Sequence, residues 1–197
     1  MTNMAAPRSS PRQRLLETAS DLFYRIGIRS VGVDTISEQS GVGKPTMYRH
    51  FSTKDELISA YLEEENRRHW QWFEEVLTAY QGNAKAQLLA LLEVTAQMIS
   101  EPGYRGCAFL NVLAEFSDEG HPARRQAIEH KQELNRRLYD ICREAGALDP
   151  KVLADQLSLV INGALASAPI FGAAGPTGQL TAIGTHLINL QFNAPNG

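Results

Sequence analysis

The sequence predicts an all-α protein, and three observations carry that expectation. Apolar residues recur three and four positions apart in one segment after another. No segment shows the apolar–polar alternation of period two that a half-buried strand requires. Segment starts carry helix-capping chemistry, as at Ser10-Pro11, Ser52-Thr53-Lys54-Asp55-Glu56 and Asp149-Pro150. The expected architecture has about nine helices. An N-terminal three-helix domain with a helix–turn–helix occupies residues 10–52, and a C-terminal helical domain occupies 53–193, between disordered ends at 1–9 and 194–197.

Ser10 caps the first helix, and Pro11 sits in its first turn, where a missing N–H costs nothing. Leu15, Leu16, Ala19, Leu22, Phe23 and Ile26 form its apolar stripe, and Gly27 ends it. The second helix runs from Val33 or Asp34 to Ser40 with Ile36 inward, and Gly41 makes the turn. The third spans about Lys44 to His50, tolerating Pro45 because it falls in the first turn. Met47 and Phe51, four apart, face the core and leave Lys44, Thr46, Tyr48 and Arg49 outward. A long fourth helix starts at Ser52 or Thr53 and runs to about Tyr80, with Ile58, Tyr61, Leu62, Trp72, Phe73, Val76 and Tyr80 as its stripe.

The fifth helix, about Ala84 to Ser100, turns Leu88, Leu91, Leu92, Thr95, Met98 and Ile99 inward. After a glycine loop, a short sixth covers about Cys107 to Phe116. The seventh, Ala123 to Ala145, buries Ile128, Leu134, Leu138 and Ile141 and ends at Gly146. The eighth runs from Asp149-Pro150 to about Ala168, and Gly172 to Gly178 reads as a flexible connection. The ninth, about Gln179 to Asn193, carries Leu180, Ile183, Leu187 and Leu190.

Charge is unevenly placed. Residues 1–54 hold eight Lys/Arg and four carboxylates, a net of +4; against −3 for the whole chain, the remainder carries −7. A basic head on an acidic body means that only the head suits a phosphate backbone. Cys107 and Cys142 form no CxxC and fit reduced thiols in a cytoplasmic protein. The N-terminus has no apolar core of a secretory signal. After Asp155 there is no Lys, Arg, Asp or Glu, yet the run Leu157–Phe171 contains Ser158, Asn162, Gly163, Ser167 and Pro169. It is too short and broken for a span of about 20 apolar residues, so no membrane partner is expected. An uncharged helix also fits a core or a subunit interface.

The stretch Val33 to Phe51, VDTISEQSGVGKPTMYRHF, has a mechanical purpose as helix, glycine turn, helix. The second helix of such a pair enters the major groove of double-stranded DNA and the first braces it. Lys44 neutralises a phosphate in this reading. Thr46, Tyr48 and His50 bond phosphate oxygens, Arg49 reaches a guanine edge or a phosphate, and Thr35 adds a phosphate contact. The GVGKPT portion superficially matches a nucleotide-binding loop, but Glu38 stands where that loop needs its first glycine and Pro45 where it needs Ser or Thr. A plain helical hairpin with a solvated face is the competing reading.

Residues 12–62 resemble the DNA-binding region of the tetracycline-repressor (TetR) family. The shared features are the first helix ending at Gly27, the Ile-x-x-x-x-Gly-Val core, Lys-x-Thr-x-Tyr-x-His-Phe, and the Lys-Asp-Glu-Leu helix start. Gly43 and Pro45 depart from the family, which usually has Ser or Ala at the first position and a small residue at the second. These two and Lys54 complete the candidate DNA-binding set. The resemblance implies a homodimer through the last two helices. It also implies a ligand pocket among the middle helices and, in most members, repression relieved by a small molecule. GCAFLNVLAEF with His121-Pro122 is similar to a subset of the family's sensor domains.

The effector is unknown from sequence. Glu65 and His69, Trp72, Phe73, Phe109, Asn111, Glu115 and Asn162 are candidate pocket residues. Each has a plainer alternative: Glu65 and His69 as a satisfied i,i+4 pair, the aromatics as core, Asn162 as a register-setting polar group. Glu115, His121 and His130 match no metal-ligand spacing, so no metal and no cofactor is expected. GxSxG, HExxH and paired acid/base constellations are absent, so no enzyme is expected. The alternative function is a helical-bundle enzyme or small-molecule carrier without DNA binding.

Overall fold

The computed structural model describes residues 9–172 and 175–192. Among these it holds nine α-helices, one 3₁₀ helix and no strand. They are α1 (Pro11–Ile26), α2 (Val33–Ser40), α3 (Lys44–His50), α4 (Lys54–Ala79), α5 (Ala84–Ser100), α6 (Ala108–Glu115), α7 (Pro122–Glu144), α8 (Pro150–Phe171) and α9 (Leu180–Leu190), with the 3₁₀ turn at Pro176–Gln179. Apart from Ser9, the expected disordered ends lie outside the described residues, as does the expected end of α9 at Asn193.

Local chemistry sets the boundaries. Ser10, Thr53, Asn83, His121 and Asp149 each accept a hydrogen bond from a backbone N–H of the following first turn. Gly27 and Gly41 end α1 and α2 at positive φ, 102° and 64°. Two of the expected details differ. Residues 176–179 are not a loose connection: Thr177 is buried and its hydroxyl donates to the Gly172 carbonyl at 2.8 Å. And α8 continues past Ala168 through Pro169 to Phe171. Pro169 lacks the N–H that the Leu165 carbonyl would accept. The Tyr104 hydroxyl donates to that carbonyl instead, at a long 3.5 Å.

Two apolar cores form. The first joins α1, α2, α3 and the start of α4 with Phe109, Val112 and Phe116 of the α6 region and Ala123 and Ala127 of α7. The second joins Phe73 of α4 with α5, the rest of α7, α8 and α9. Helix α4 thus has one end in each core, and Cys107 packs against both. Tyr80, expected on the inward stripe of α4, is 44% exposed: it is the cap residue beyond the helix, whose last turn still packs on the second core through Val76 and Leu77. No described helix is long and apolar enough to cross a membrane.

Helices α5 and α9 pack closely because Gly184 has no side chain. A Cβ there would stand 2.4 Å from Leu92 Cδ1, and Leu92 is itself fully buried. Gly184→Val is therefore expected to lower stability by about 1–3 kcal/mol through overpacking. Urea unfolding checks this; an unchanged midpoint would contradict the close approach.

Candidate nucleic-acid interface and ligand cavity

Helix α3 is held from beneath. Met47 and Phe51 are buried, and Val42 plugs the turn before it. The Val42 N–H donates to the Ser37 carbonyl at 3.2 Å, and the Ser37 hydroxyl donates to the Val42 carbonyl at 2.7 Å. The Arg14 guanidinium donates to the Ser40 carbonyl at 3.4 Å and the Ser9 carbonyl at 3.0 Å, tying α1 to the end of α2. Arg12 lies over the Phe51 ring at 5.1 Å. The helix is short, so these anchors rather than propensity fix its direction.

On the outer side, Lys44, Pro45, Tyr48, Arg49 and His50 are exposed and Thr46 is half-buried. Lys44 pairs with Asp34 at 2.7 Å, both side chains largely in solvent, a contact too weak to hold the lysine from a phosphate. Arg49 donates to the Thr46 hydroxyl at 3.1 Å. Thr35 is half-buried in the first turn of α2. Gly43 caps α3 at φ −60°, ψ 146°, a conformation open to any residue, and a Cβ there would meet only Pro45 Cδ at 3.9 Å. Lys54 is turned elsewhere: its Nζ donates to the Ile28 carbonyl at 2.6 Å, and burial lowers its pKa.

A cavity of about 320 Å³ opens between α4, α5, α6, α7 and α8. Five of the eight candidate effector residues line it: Glu65, His69, Trp72, Phe73 and Phe109. Asn111 and Glu115 do not, because the cap residue Cys107 and the first-turn residues Ala108 and Phe109 are the part of α6 that faces it; nor does Asn162, since α8 faces it with Ile161 and Leu165. Asn111 donates to the Arg105 carbonyl at 3.3 Å, bracing the loop before α6. Asn162 accepts from Lys131 Nζ at 2.9 Å and so positions a lining residue from behind. Sequence reasoning missed Lys131 and Tyr24 as lining residues, and His130 entered it only as a metal candidate. Tyr24 comes from α1, and its hydroxyl accepts from the Arg105 N–H at 2.9 Å.

The polar atoms here are fixed by elimination. The Trp70 indole N–H donates to Asn66 Oδ1 at 2.9 Å, so that atom is the amide oxygen. His130 Nδ1 lies 2.8 Å from the same oxygen and therefore carries the proton. The His130 ring stacks on Phe109 at 3.6 Å and lies 4.7 Å from the His69 ring. His69 Nε2 is buried with no hydrogen-bond partner. Glu65 receives Arg68 at 3.4 Å, while burial pushes its carboxyl pKa up.

Burial, with Lys131 and Arg137 nearby, lowers His69 from 6.5 to about 4. Burial, then His69 and Lys131, lower His130 to about 3. Both rings are neutral at pH 7. Below pH 6.5 the unfolded chain takes up protons that the folded one refuses, so stability is full above 6.5 and falls as pH drops toward 4. For His69 alone the loss is on the order of 3 kcal/mol. Urea midpoints measured from pH 7.5 to 4.5 are expected to fall steeply in the parent and less in His69→Phe; parallel curves would refute the assignment.

Glu115 does something else. Its Oε1 accepts from the Ile28 N–H at 3.1 Å and its Oε2 from the Arg29 N–H at 2.8 Å. Together with Lys54 it satisfies both polar groups of Ile28, in a loop with no helical ladder of its own. Gly27 is required here by its φ of 102° rather than by crowding, since a Cβ would meet Oε1 at an ordinary contact distance of 3.4 Å. Glu115, His121 and His130 have separate roles. Glu115 is this clamp, His121 Nδ1 caps α7 at 3.2 Å, and His130 stacks in the cavity. No described group of three His, Cys, Asp or Glu side chains is arranged to hold a metal.

Comparison with known proteins agrees with this geometry. Residues 15–61 match the family described as bacterial regulatory proteins, tetR family, and residues 84–182 match the tetracyclin repressor-like C-terminal domain. The fold superposes on a TetR-family transcriptional regulator from Streptomyces coelicolor with a TM-score of 0.89 at 32% identity, covering 93% of this chain and 96% of that one. Among curated relatives, the transcriptional activator FasR of Mycolicibacterium smegmatis is 44% identical over 57 residues, 29% of this chain and 26% of FasR. The transcriptional repressor NemR of Escherichia coli is 27% identical over 108 residues, 54% of each protein. The chain thus matches about half or less of the length of these two relatives.

Proposed function

Because the chain belongs to the TetR family of bacterial regulatory proteins, we propose that it binds an inverted-repeat DNA operator as a homodimer and leaves it when a small molecule fills the cavity. The carrying observation is α3: Lys44, Tyr48, Arg49 and His50 exposed and Thr46 half-buried on a helix whose opposite face is locked by Met47 and Phe51. A helix presented this way fits the major groove, with its partner one turn away at about 34 Å. Lys44, Thr46, Tyr48, Arg49 and His50 make the contacts, with Gly43 and Pro45 setting the approach of the helix. Thr35 supports them from α2, and Lys54 holds the head in place from inside. The protein works in the cytoplasm, where its DNA is.

The second half of the proposal rests on how the cavity meets the head. Helix α6 contributes Phe109 to the cavity and Glu115 to the α1–α2 loop, while α1 sends Tyr24 back to the cavity wall. A ligand that shifts α6 or Tyr24 therefore shifts the head, provided it binds one arrangement better than the other. The longer curated alignment is to a repressor, which favours repression as the sign of control.

The dimer reading rests on α8 and α9. Leu159 is 75% exposed and Ile170 72%, with Ile183 and Leu190 also open on α9. No charge interrupts this surface after Asp155. Leu159→Glu is expected to give monomers in analytical ultracentrifugation and to weaken operator binding at least about tenfold, through loss of paired half-sites. A variant that stays dimeric with full affinity would place the interface elsewhere.

A further inference from the structure

We propose that the cavity ligand is a small, ring-bearing monocarboxylate, its carboxylate held by Lys131 Nζ and His69 Nε2 and its ring held against Trp72, Phe73 and Phe109. This rests on the reading of the cavity as the effector site. The size sets the first limit. About 320 Å³ is room for roughly ten water-sized groups at about 30 Å³ each, which suits one or two rings.

The charge pattern sets the sign. Glu65 and Arg68 line the cavity as part of a paired run on α4: Arg67 and Arg68 hold Glu64 at 2.8 and 2.9 Å, Arg68 meets Glu65 at 3.4 Å, and the four charges sum to zero. Lys131 also lines it, but its Nζ meets only the neutral amide oxygen of Asn162, and it forms no ion pair among the described residues. The uncompensated lining charge is therefore one cation, and one cation in an apolar cavity calls for one anion. A cationic ligand would add a second positive charge beside it.

The neighbouring polar atom fits the same group. His69 Nε2 is buried without a partner, and the His69 and Lys131 side chains line the same cavity. His130 cannot take the role through Nδ1, which is committed to Asn66. A carboxylate has two oxygens, one for the ammonium and one for an imidazole N–H, and so meets both needs at once. The remaining wall is aromatic and aliphatic.

Three probes of one shape test this by calorimetry on the full-length protein without DNA: 1-naphthoate, 1-naphthamide and 1-naphthylmethylammonium. Naphthoate is expected to bind at least about tenfold more tightly than either of the others, the effect of one charge-assisted hydrogen bond. Lys131→Met is expected to bring naphthoate down to the naphthamide level while leaving naphthamide within about threefold. His69→Phe is expected to weaken naphthoate more than naphthamide. Circular dichroism and ultracentrifugation confirm that both variants keep the parent fold and assembly. Equal or tighter binding of the amide or the ammonium, a preference that survives Lys131→Met, or no binding of any probe overturns the proposal. A parallel gel shift separates the two readings. Lysine-dependent naphthoate binding that leaves operator affinity unchanged establishes the ligand class and refutes the effector role instead.

Discussion

Alanine at both Tyr48 and Arg49 is expected to lower operator affinity by about a hundredfold with almost no change in stability. An Arg49 contact to a guanine edge contributes about 1–3 kcal/mol, and the Tyr48 hydrogen bond to a phosphate about 1 kcal/mol more. Both side chains project from α3 into solvent, and Arg49 bonds only the hydroxyl of half-buried Thr46. Exposed substitutions of this type move stability by less than about 0.5 kcal/mol. Lys44→Ala is expected to act differently: a uniform loss across sequences and a shallower salt dependence, as for a phosphate contact. Fluorescence anisotropy at several salt concentrations, beside urea unfolding, separates the two patterns. A double variant that binds like the parent, or that has lost several kcal/mol of stability, would show that α3 is packing rather than reading.

Glu115→Ala is expected to loosen the joint between cavity and head. It leaves the Ile28 and Arg29 N–H groups without their acceptors. Ile28 is buried, so its N–H cannot readily turn to water, and the cost is about 1–3 kcal/mol. Amide exchange at residues 28 and 29 is expected to accelerate strongly, and operator affinity to fall several-fold without any change to α3. Glu115→Gln, which keeps one acceptor oxygen, is expected to fall between. The measurement is hydrogen exchange on the two variants and the parent. Unchanged exchange at both positions would mean that the clamp does not hold the loop in solution.

Most of the fold was legible because its signals are local. Ser10-Pro11, Thr53 and Asp149-Pro150 cap helices where the sequence marks them, and Gly27 and Gly41 stop helices at positive φ. The outward and inward faces of α3 follow from four residues of spacing between Met47 and Phe51. What escaped was set by contacts between distant positions. Glu115 and Asn111 share a helix face and looked alike, yet Glu115 reaches a loop 87 positions away while Asn111 braces its own. Lys131 lies on a heavily charged helix, and nothing local distinguishes it from its solvated neighbours. It lines the cavity because α8 offers Asn162 beside it. Helix α4 joins head and body by having one end in each core. The structure adds α6 through Glu115 and α1 through Tyr24, and no periodicity reports such a link.

The central claim is that α3 of a dimer reads DNA, and selection from a random duplex pool tests it most directly. The parent protein is expected to enrich an inverted repeat whose half-site centres lie about 10 base pairs, or a multiple of that, apart. The Tyr48→Ala, Arg49→Ala variant is expected to enrich nothing above background. No enrichment by the parent, or the same motif recovered with the α3 variant, would contradict the account.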